Sequence, residues 1–506
     1  MKMHRALLPA AAALLASMPL GAQDVLASIG ANTGTRPPEL GAIREQELRR
    51  ELETLAADTF RGREAGTLDE LRASAWLAER ARQAGMLPAG EDGTYFQWFP
   101  MRRVRVANHS RVELGGRALA LWRDAIVVSP TDAVVDAPLV WVGTADSAQL
   151  AAMDLRGKAV AAQVVPPREA PPRGVSLWAW RYARAALRDR ALALQGRGTA
   201  AVVLVSDSVA DSVFGVQAAY YSRGSYGLDS AGVEAPRPSR VPVIWVRAEA
   251  AGAARAPGQR LVARIASESF TYPSVNVVAQ VPGTDARLRN DYVLFSGHQD
   301  HDGVRVPVDG DSIWNGADDN GSVSVALLAI GRAFARQPGR RTALFVWHGA
   351  EERGLIGSRW FVDHPTVPRG SIVAVLNGDM IGRNHPDSAA LLGVQPPHRN
   401  SRELVQIALD ANRQVSRFVV DSTWDRPTHP EGWYFRSDHL PYARAGIPAL
   451  FFTTLLHPDY HTPRDEALRI DYAKLARMTR WIYATGWTLA TIDGRPSVDP
   501  DFKLER

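Results

Sequence analysis

The stretch 292–300, YVLFSGHQD, is the clearest guide to the fold of the second half of this 506-residue chain. Its apolar run predicts a buried strand that ends just before His298 and Asp300. Further strands are predicted at Ala343–Trp347, Ile372–Leu376 and Ala449–Thr453, and helices at Ser322–Ala335, Ser401–Arg413 and Tyr472–Ala490. Because strands and helices alternate, we expect an α/β domain in which a mixed sheet is flanked by helices.

Acidic and imidazole side chains gather at the ends of these predicted strands. They are His298, Asp300, Asp318, Asp319, Glu351, Glu352, Asp379 and His461. Each alone has an ordinary explanation, but two adjacent aspartates before the helix at Ser322 exceed what helix capping needs. In α/β folds, ligands bind where strands end. The chain contains no cysteine, so imidazoles and carboxylates favour zinc, with manganese or cobalt as substitutes. A set this large indicates two ions bridged by a carboxylate.

Five motifs follow one another in a recognisable order. They are His298-x-Asp300, Gly316–Asn320, Gly349–Glu352, Asn377–Met380 and Tyr460–Pro463. In this order they resemble the motif set of the M28 family, the cocatalytic zinc aminopeptidases. The resemblance covers about residues 273–490 and extends weakly to 45–100, where Arg61-Gly62-Arg63 stands. One departure is His301-Asp302-Gly303, where the family commonly has His-Leu-Gly.

The resemblance implies two zinc ions per chain and suggests their ligands. Asp318 would bridge the ions, with His298 and Asp379 completing one site and Glu352 and His461 the other. The bond between Asp318 and Asp319 would be a cis peptide, as in the family.

The resemblance also implies a reaction, metal-assisted hydrolysis of an amide bond. A hydroxide bridging the two zinc ions would attack the scissile carbonyl, with Glu351 as the general base. Asp300 would orient the His298 ring, and the Tyr460 hydroxyl would help to stabilise the oxyanion. The implied function is that of a metalloprotease, an aminopeptidase that removes N-terminal residues from peptides with a free N-terminus.

Three other functions are compatible with parts of this pattern. The nearest is a carboxypeptidase or dipeptidase on the same scaffold. An acyl transferase similar to the glutaminyl cyclases would work with one zinc, and a non-catalytic binding module would have lost a ligand or Glu351. The complete set of ligands argues against the last two.

An aromatic stretch lies between the fourth and fifth motifs. Trp433, Tyr434 and Phe435, with His429 upstream, are expected to form a wall of the substrate pocket, although ordinary packing would explain them equally well. His301, His348 and His439 also lie near the motifs, and we expect them to be structural rather than ligands.

The first half of the chain divides into a leader and two segments. Residues 1–22 have the layout of a secretory signal peptide, with Lys2 and Arg5 before an apolar run that is short for a membrane anchor and holds two prolines. We therefore expect export to the periplasm or the medium. Residues 23–127 would begin the peptidase domain, and 265–495 would complete it before a tail at 496–506. Residues 128–264, with Asp154–Val160, are similar to the protease-associated (PA) domain, a β-rich insert.

Composition excludes several classes of partner and cofactor. The net charge is +5, and about +3 without the predicted signal, so a nucleic-acid-binding surface is not expected. Disulfides and thiolate chemistry are excluded because there is no cysteine. No stretch beyond the leader has the length and apolar character of a membrane span. The sequence does not indicate an oligomeric state or a preferred side chain.

Overall fold

The computed structural model describes residues 36–229 and 241–505, so the predicted signal at 1–22 lies outside the described residues. The described strands are β1 Leu87–Pro88, β2 Phe96–Val106, β3 Arg111–Leu114, β4 Arg117–Leu119, β5 Ala125–Val127, β6 Ala133–Gly143, β7 Ala159–Gln163, β8 Ala201–Val205, β9 Ser225–Leu228, β10 Val243–Val246, β11 Arg260–Ile265, β12 Ser267–Val281, β13 Tyr292–His298, β14 Gly303–Val308, β15 Asp311–Trp314, β16 Thr342–His348, β17 Ile372–Gly378, β18 Ser388–Leu392, β19 Val419–Asp421 and β20 Ala449–Thr453. The described α-helices are α1 Glu45–Leu55, α2 Leu68–Gln83, α3 Ser147–Ala151, α4 Trp178–Gln195, α5 Ser208–Ser212, α6 Phe214–Ser222, α7 Ala251–Arg255, α8 Val323–Arg336, α9 Ile356–Asp363, α10 Arg402–Ala411, α11 His439–Arg444 and α12 Tyr472–Thr491.

The main sheet has the order β19-β18-β20-β17-β13-β16-β12-β2-β9, with β1 paired to β12. Its centre is parallel, since β16, β13, β17 and β20 run in the same direction. Antiparallel strands β12, β2 and β9 extend it on one side. These four central strands are the ones that the apolar runs predict, and the mixed α/β class is confirmed.

Helices cover both faces of this sheet. On one face Phe295 stacks on Phe345, with ring centroids 5.1 Å apart, and α8 and α12 pack over them. On the other face Leu294 and Leu344 pack under α9 and α11. Successive side chains of a strand point to opposite faces. A strand without alternating polar residues, such as β13, is therefore buried on both sides.

A second sheet of eight strands lies in the chain between β2 and β12. Its order is β4-β3-β11-β6-β7-β8-β10-β5. Because Val106 of β2 pairs with Ser267 of β12, the two ends of this segment leave the main sheet side by side, as the ends of an inserted domain do. Strands β3, β4 and β5, which precede residue 128, belong to this sheet. Such short strands carry too little pattern to show which sheet they join.

One strand of this segment returns to the main sheet. β9 pairs with β2, Ser225 opposite Val104. Among the helices of residues 36–229 and 241–505, none combines the length and apolar character that a bilayer crossing requires.

Candidate metal centre

The carboxyl ends of the parallel strands meet at one edge of the main sheet and bring the predicted site residues together. His298 is the last residue of β13, and Asp379 directly follows β17. Glu351 and Glu352 follow β16, and His461 lies in the loop after β20. Parallel strands of one sheet all end at the same edge, which is why residues far apart in the chain form one site.

Two groups of donor atoms share Asp319. The first group is His298, Asp319 and Asp379, and the second is His301, Asp319, Glu352 and His461. Asp319 Oδ1 lies 3.2 Å from His298 Nε2, whereas Asp319 Oδ2 lies 3.1 Å from His461 Nε2. One carboxylate thus presents one oxygen to each group, as a bridging ligand does.

The structure corrects the prediction for Asp318. This carboxylate points away from both groups: its Oδ1 accepts the amide of Gly382 at 2.7 Å, and its Oδ2 lies 3.5 Å from His457 Nε2. The cis peptide also falls one residue later than predicted, between Asp319 and Asn320. Adjacent side chains in this turn face different directions. The sequence shows two neighbouring aspartates but does not indicate which of them faces the donor groups.

The loop that carries His461 also fixes this turn. Asp465 is fully buried, and its carboxylate accepts the amides of Asp318 and Asp319 at 3.0 Å each. The amide of Ala317 donates to the carbonyl of Asp465 at 2.9 Å. Asp319 and His461 are therefore held in register by three hydrogen bonds between their two loops.

Arg63 ties the N-terminal region to the same turn, a role that the resemblance of Arg61-Gly62-Arg63 to the family does not indicate. Its side chain is fully buried and donates to four carbonyls. The acceptors are those of Gln299 (2.7 Å), Leu55 (3.1 Å), Asn315 (2.7 Å) and Gly316 (2.8 Å). Because Gln299 directly follows His298 and Gly316 lies in the turn that leads to Asp319, Arg63 fixes the distance between the His298 and Asp319 loops.

Asp300 acts differently from the prediction. The ring nitrogen His298 Nδ1 lies 3.0 Å from the carbonyl oxygen of Asp300, while the nearest carboxylate oxygen is 3.8 Å away. The carboxylate instead accepts the amides of Glu351 at 3.0 Å and Glu352 at 3.4 Å. Asp300 therefore orients His298 through its backbone and positions the two glutamates through its side chain. His298 Nε2 is left free to face the site.

The donor atoms fit a divalent cation. His298 Nε2, Glu352 Oε1 and Asp379 Oδ1 are buried without a hydrogen-bond partner among the described residues. Burial raises the pKa of the Glu351 carboxyl well above its ordinary value, and the neighbouring carboxylates of Glu352 and Asp379 add to the effect. Buried acids at this density repel one another unless positive charge lies between them. Imidazole and carboxylate donors without sulfur are a set that zinc accepts.

A cavity of about 270 Å³ opens onto this cluster. It is lined by Asp319, Glu351, Glu352, Gly354, Leu355, Asp379, Met380, Trp433, Phe435, Arg436, Tyr460 and His461. Tyr460 stacks on His461 with ring centroids 3.9 Å apart, and its hydroxyl accepts a hydrogen bond from Arg436 at 2.8 Å. Two of the three residues predicted to be catalytic, Glu351 and Tyr460, thus face the cavity, whereas Asp300 is not among the lining residues.

The predicted pocket wall is only half correct. Trp433 and Phe435 line the cavity, but Tyr434 is turned into the core, where it stacks on His398 at 4.4 Å. His429 packs on Trp424 at 4.5 Å and is not among the lining residues. The short helical turn Trp433–Phe435 explains the split, because successive side chains of such a turn point in different directions.

Three residues beside the donor atoms have left-handed backbone. They are Ala350, Met380 and His461, with φ of 56°, 54° and 51°. Such conformations cost non-glycine residues about 1–3 kcal/mol each and persist where the surroundings over-determine them. Their position next to Glu351, Asp379 and the His461 ring is the pattern expected of a site whose geometry is held in place for a function.

The inserted segment reaches the cavity wall through Glu431. This buried carboxylate accepts the amide of Ser176 at 2.9 Å and pairs with Arg181 of α4. The same carboxylate oxygen, Oε2, lies 3.4 Å from Arg436 Nη1. Since Arg436 also holds the Tyr460 hydroxyl, Glu431 links the insert to the cavity.

We expect Glu431→Ala to lower the free energy of unfolding by about 3 kcal/mol, because two partly buried guanidinium groups lose their common counter-charge. Urea denaturation followed by tryptophan fluorescence measures this change. The control is Arg188→Ala, which removes an exposed ion pair with Asp189 on α4, the helix that carries Arg181. This substitution should change the free energy of unfolding by less than about 0.5 kcal/mol. Equal effects of the two substitutions would contradict the structural role of Glu431.

Comparison with known proteins gives one family match and several similar folds. Residues 276–486 match the model of Peptidase family M28. A probable leucine aminopeptidase of Trichophyton verrucosum is 28% identical over 228 residues, 43% of this chain and 58% of that protein, so the match spans little more than half of the relative. An aminopeptidase from Aneurinibacillus sp. strain AM-1 superposes with a TM-score of 0.57 at 19% identity, over 91% of this chain and 97% of that one. A zinc aminopeptidase from Bacillus subtilis gives a TM-score of 0.57 at 19% identity, over 93% of this chain and 100% of that one. At these identities, the two superpositions show a shared fold.

Proposed function

We propose that this protein is a zinc-dependent aminopeptidase of peptidase family M28 that removes N-terminal residues from peptides. The observation that carries the proposal is the position of Asp319, whose two oxygens face two separate groups of imidazole and carboxylate donors. The family match of residues 276–486 includes every one of these donors. The aminopeptidase names of the similar proteins support the activity.

The two donor groups would each hold one zinc ion. His298 and Asp379 would complete one site and Glu352 and His461 the other, with Asp319 in place of Asp318 as the shared ligand. Zinc bound there would lower the pKa of a water molecule and polarise a carbonyl group.

The remaining steps belong to side chains of this chain. Glu351 faces the cavity with its Oε2 3.9 Å from His298 Nε2, close enough to the donors to take a proton from water and return it to the leaving amine. The Tyr460 hydroxyl accepts from Arg436 and so has its own proton free to donate to the substrate carbonyl oxygen as negative charge develops there.

The cavity favours an N-terminal residue over an internal one. It has a volume of about 270 Å³, and Leu355, Met380, Trp433 and Phe435 in its lining offer apolar contacts. The nearby carboxylates attract a protonated amino group. We therefore infer a preference for apolar N-terminal residues.

The decisive experiment compares one peptide with a free and with an acetylated N-terminus. We expect the zinc-loaded protein to shorten only the free peptide, one residue at a time from its N-terminal end, as followed by mass spectrometry. Cleavage of both peptides, or shortening from the C-terminal end, would contradict the aminopeptidase proposal and favour the carboxypeptidase or dipeptidase alternative. The same protein treated with a chelator is the control.

Two further parts of the proposal concern the rest of the chain. We propose that the inserted sheet between β2 and β12 is a PA-like domain that supports the cavity wall through Glu431. We also propose export, on the basis of the signal-like residues 1–22. The features that support these proposals are the strand-rich composition of the insert and the charged and apolar layout of the leader.

A further inference from the structure

His301 has no role in the proposed mechanism, yet it lies beside the donor group of Glu352 and His461. Its side chain is fully buried, and its Nδ1 lies 3.0 Å from Glu352 Oε1 and 4.0 Å from Asp319 Oδ2. Neither ring nitrogen has a hydrogen-bond partner among the described residues, and the same holds for Glu352 Oε1. Leaving buried polar atoms unpaired costs about 1–3 kcal/mol each, so such atoms call for an explanation.

The distances in this group match those between ligands of one tetrahedral ion. Zinc–ligand distances of about 2.0–2.1 Å place neighbouring ligand atoms about 3.3 Å apart. His461 Nε2 lies 3.1 Å from Asp319 Oδ2 and 3.0 Å from Glu352 Oε1. His301 Nδ1 lies 3.0 Å from Glu352 Oε1 and 4.0 Å from Asp319 Oδ2, near enough to share one ion with these donors.

The imidazole is held in this position by its surroundings. Gly316, with φ of 57°, lies so close that a Cβ there would be 2.3 Å from His301 Cγ. The amide of His301 donates to the carbonyl of Arg63 at 3.3 Å. The ring stands edge-on to His461, with centroids 5.5 Å apart. Gly316 and His461 therefore pack against the ring, and the hydrogen bond to Arg63 holds the backbone that carries it.

We propose that His301 is a fourth protein ligand at the site of Asp319, Glu352 and His461, which makes the two metal sites unequal. This inference rests on the proposed zinc-dependent function. The site with His301 has four protein donors, as structural zinc sites do, whereas the site of His298, Asp319 and Asp379 has three and keeps a position open. Glu351, whose Oε2 is 3.9 Å from His298 Nε2, lies beside the open site.

X-ray absorption spectroscopy of the zinc-loaded wild-type protein counts the imidazoles directly. We expect three imidazoles for every two zinc ions, from His298, His301 and His461. Two imidazoles for two zinc ions would overturn the role of His301 and leave the proposed function intact. A protein that binds no zinc would overturn the proposed function itself.

Zinc release against a graded chelator provides a second test that does not depend on activity. We expect wild type to lose its two zinc ions in two steps as the free chelator concentration rises. In His301→Gln, the more tightly bound ion should be released at a roughly 100-fold lower free chelator concentration than in wild type. His348→Gln is the matched control: His348 is equally buried, but its Nε2 contacts the Tyr442 hydroxyl at 3.1 Å, so the two steps should remain. Release of both ions from wild type in one step, or unchanged release from His301→Gln, would overturn the inference.

Discussion

Asp319→Asn is expected to lose both zinc ions and to lower kcat/KM by about 1,000-fold or more. The two oxygens of this carboxylate face the two donor groups at 3.2 Å and 3.1 Å, so removing its charge weakens both sites at once. Bound metal contributes several kcal/mol to hydrolysis, and each 1.4 kcal/mol is a factor of about ten in rate. Metal analysis of the purified variant and its rate on a free peptide measure the two effects.

Asp318→Asn is the matched control for this substitution. The change is the same one residue earlier, and an asparagine oxygen can still accept the Gly382 amide that the Asp318 carboxylate accepts at 2.7 Å. We expect this variant to keep two zinc ions and to retain activity within about tenfold, a change of about 1.4 kcal/mol at most. The reverse result, with Asp318→Asn inactive and Asp319→Asn active, would restore Asp318 as the bridging residue.

Glu351→Gln is expected to lower kcat by about 100- to 10,000-fold while both zinc ions stay bound. The substitution keeps the shape of the side chain and the backbone amide that donates to Asp300, but a carboxamide could not accept a proton from water. Glu351 belongs to neither donor group, so zinc binding does not depend on it. Steady-state kinetics and metal analysis of the same preparation separate the two effects.

Glu352→Gln is the comparison for this result. It alters the neighbouring glutamate, which belongs to a donor group, and it should therefore lower zinc content as well as rate. If Glu351→Gln lost zinc while Glu352→Gln kept it, the roles of the two glutamates would have to be exchanged. Full activity of Glu351→Gln would rule out its role as the base.

The pattern of apolar and polar residues along the chain predicts the strands whose ends carry the donor residues of the candidate metal centre. The apolar run at 292–296 predicts β13, which ends two residues later at His298 because it pairs in parallel with β16, His298 opposite His348. Alternation of strands and helices predicts the mixed sheet, and the rule that ligands collect at strand ends predicts where the donors meet. These features depend on the spacing and character of neighbouring residues, which the sequence contains directly.

Side-chain direction in irregular turns was beyond such reasoning. Asp318 and Asp319 lie in a turn whose amides donate to Asp465, 147 and 146 residues later, and only this folded turn shows which of the two side chains faces the donor groups. His301 was expected to be structural because a histidine beside a motif gives no sign of what its ring faces. The 3.0 Å approach of its Nδ1 to Glu352 Oε1 becomes visible only when Gly316 and Glu352 are placed around the ring.

The α/β class, the strand ends that carry the donors and the residue types that suit zinc all follow from the amino-acid sequence alone. Only the tertiary structure shows that Asp319 is shared by the two groups of donor atoms and that Tyr434 and His429 lie outside the cavity lining. It also shows that the inserted segment is linked to the cavity wall through Glu431. The contact between Ser176 and Glu431 joins residues 255 positions apart. The periodicity of apolar residues reflects only the structure of neighbouring residues in the chain. Contacts such as this one form when elements that are distant in the sequence pack against one another.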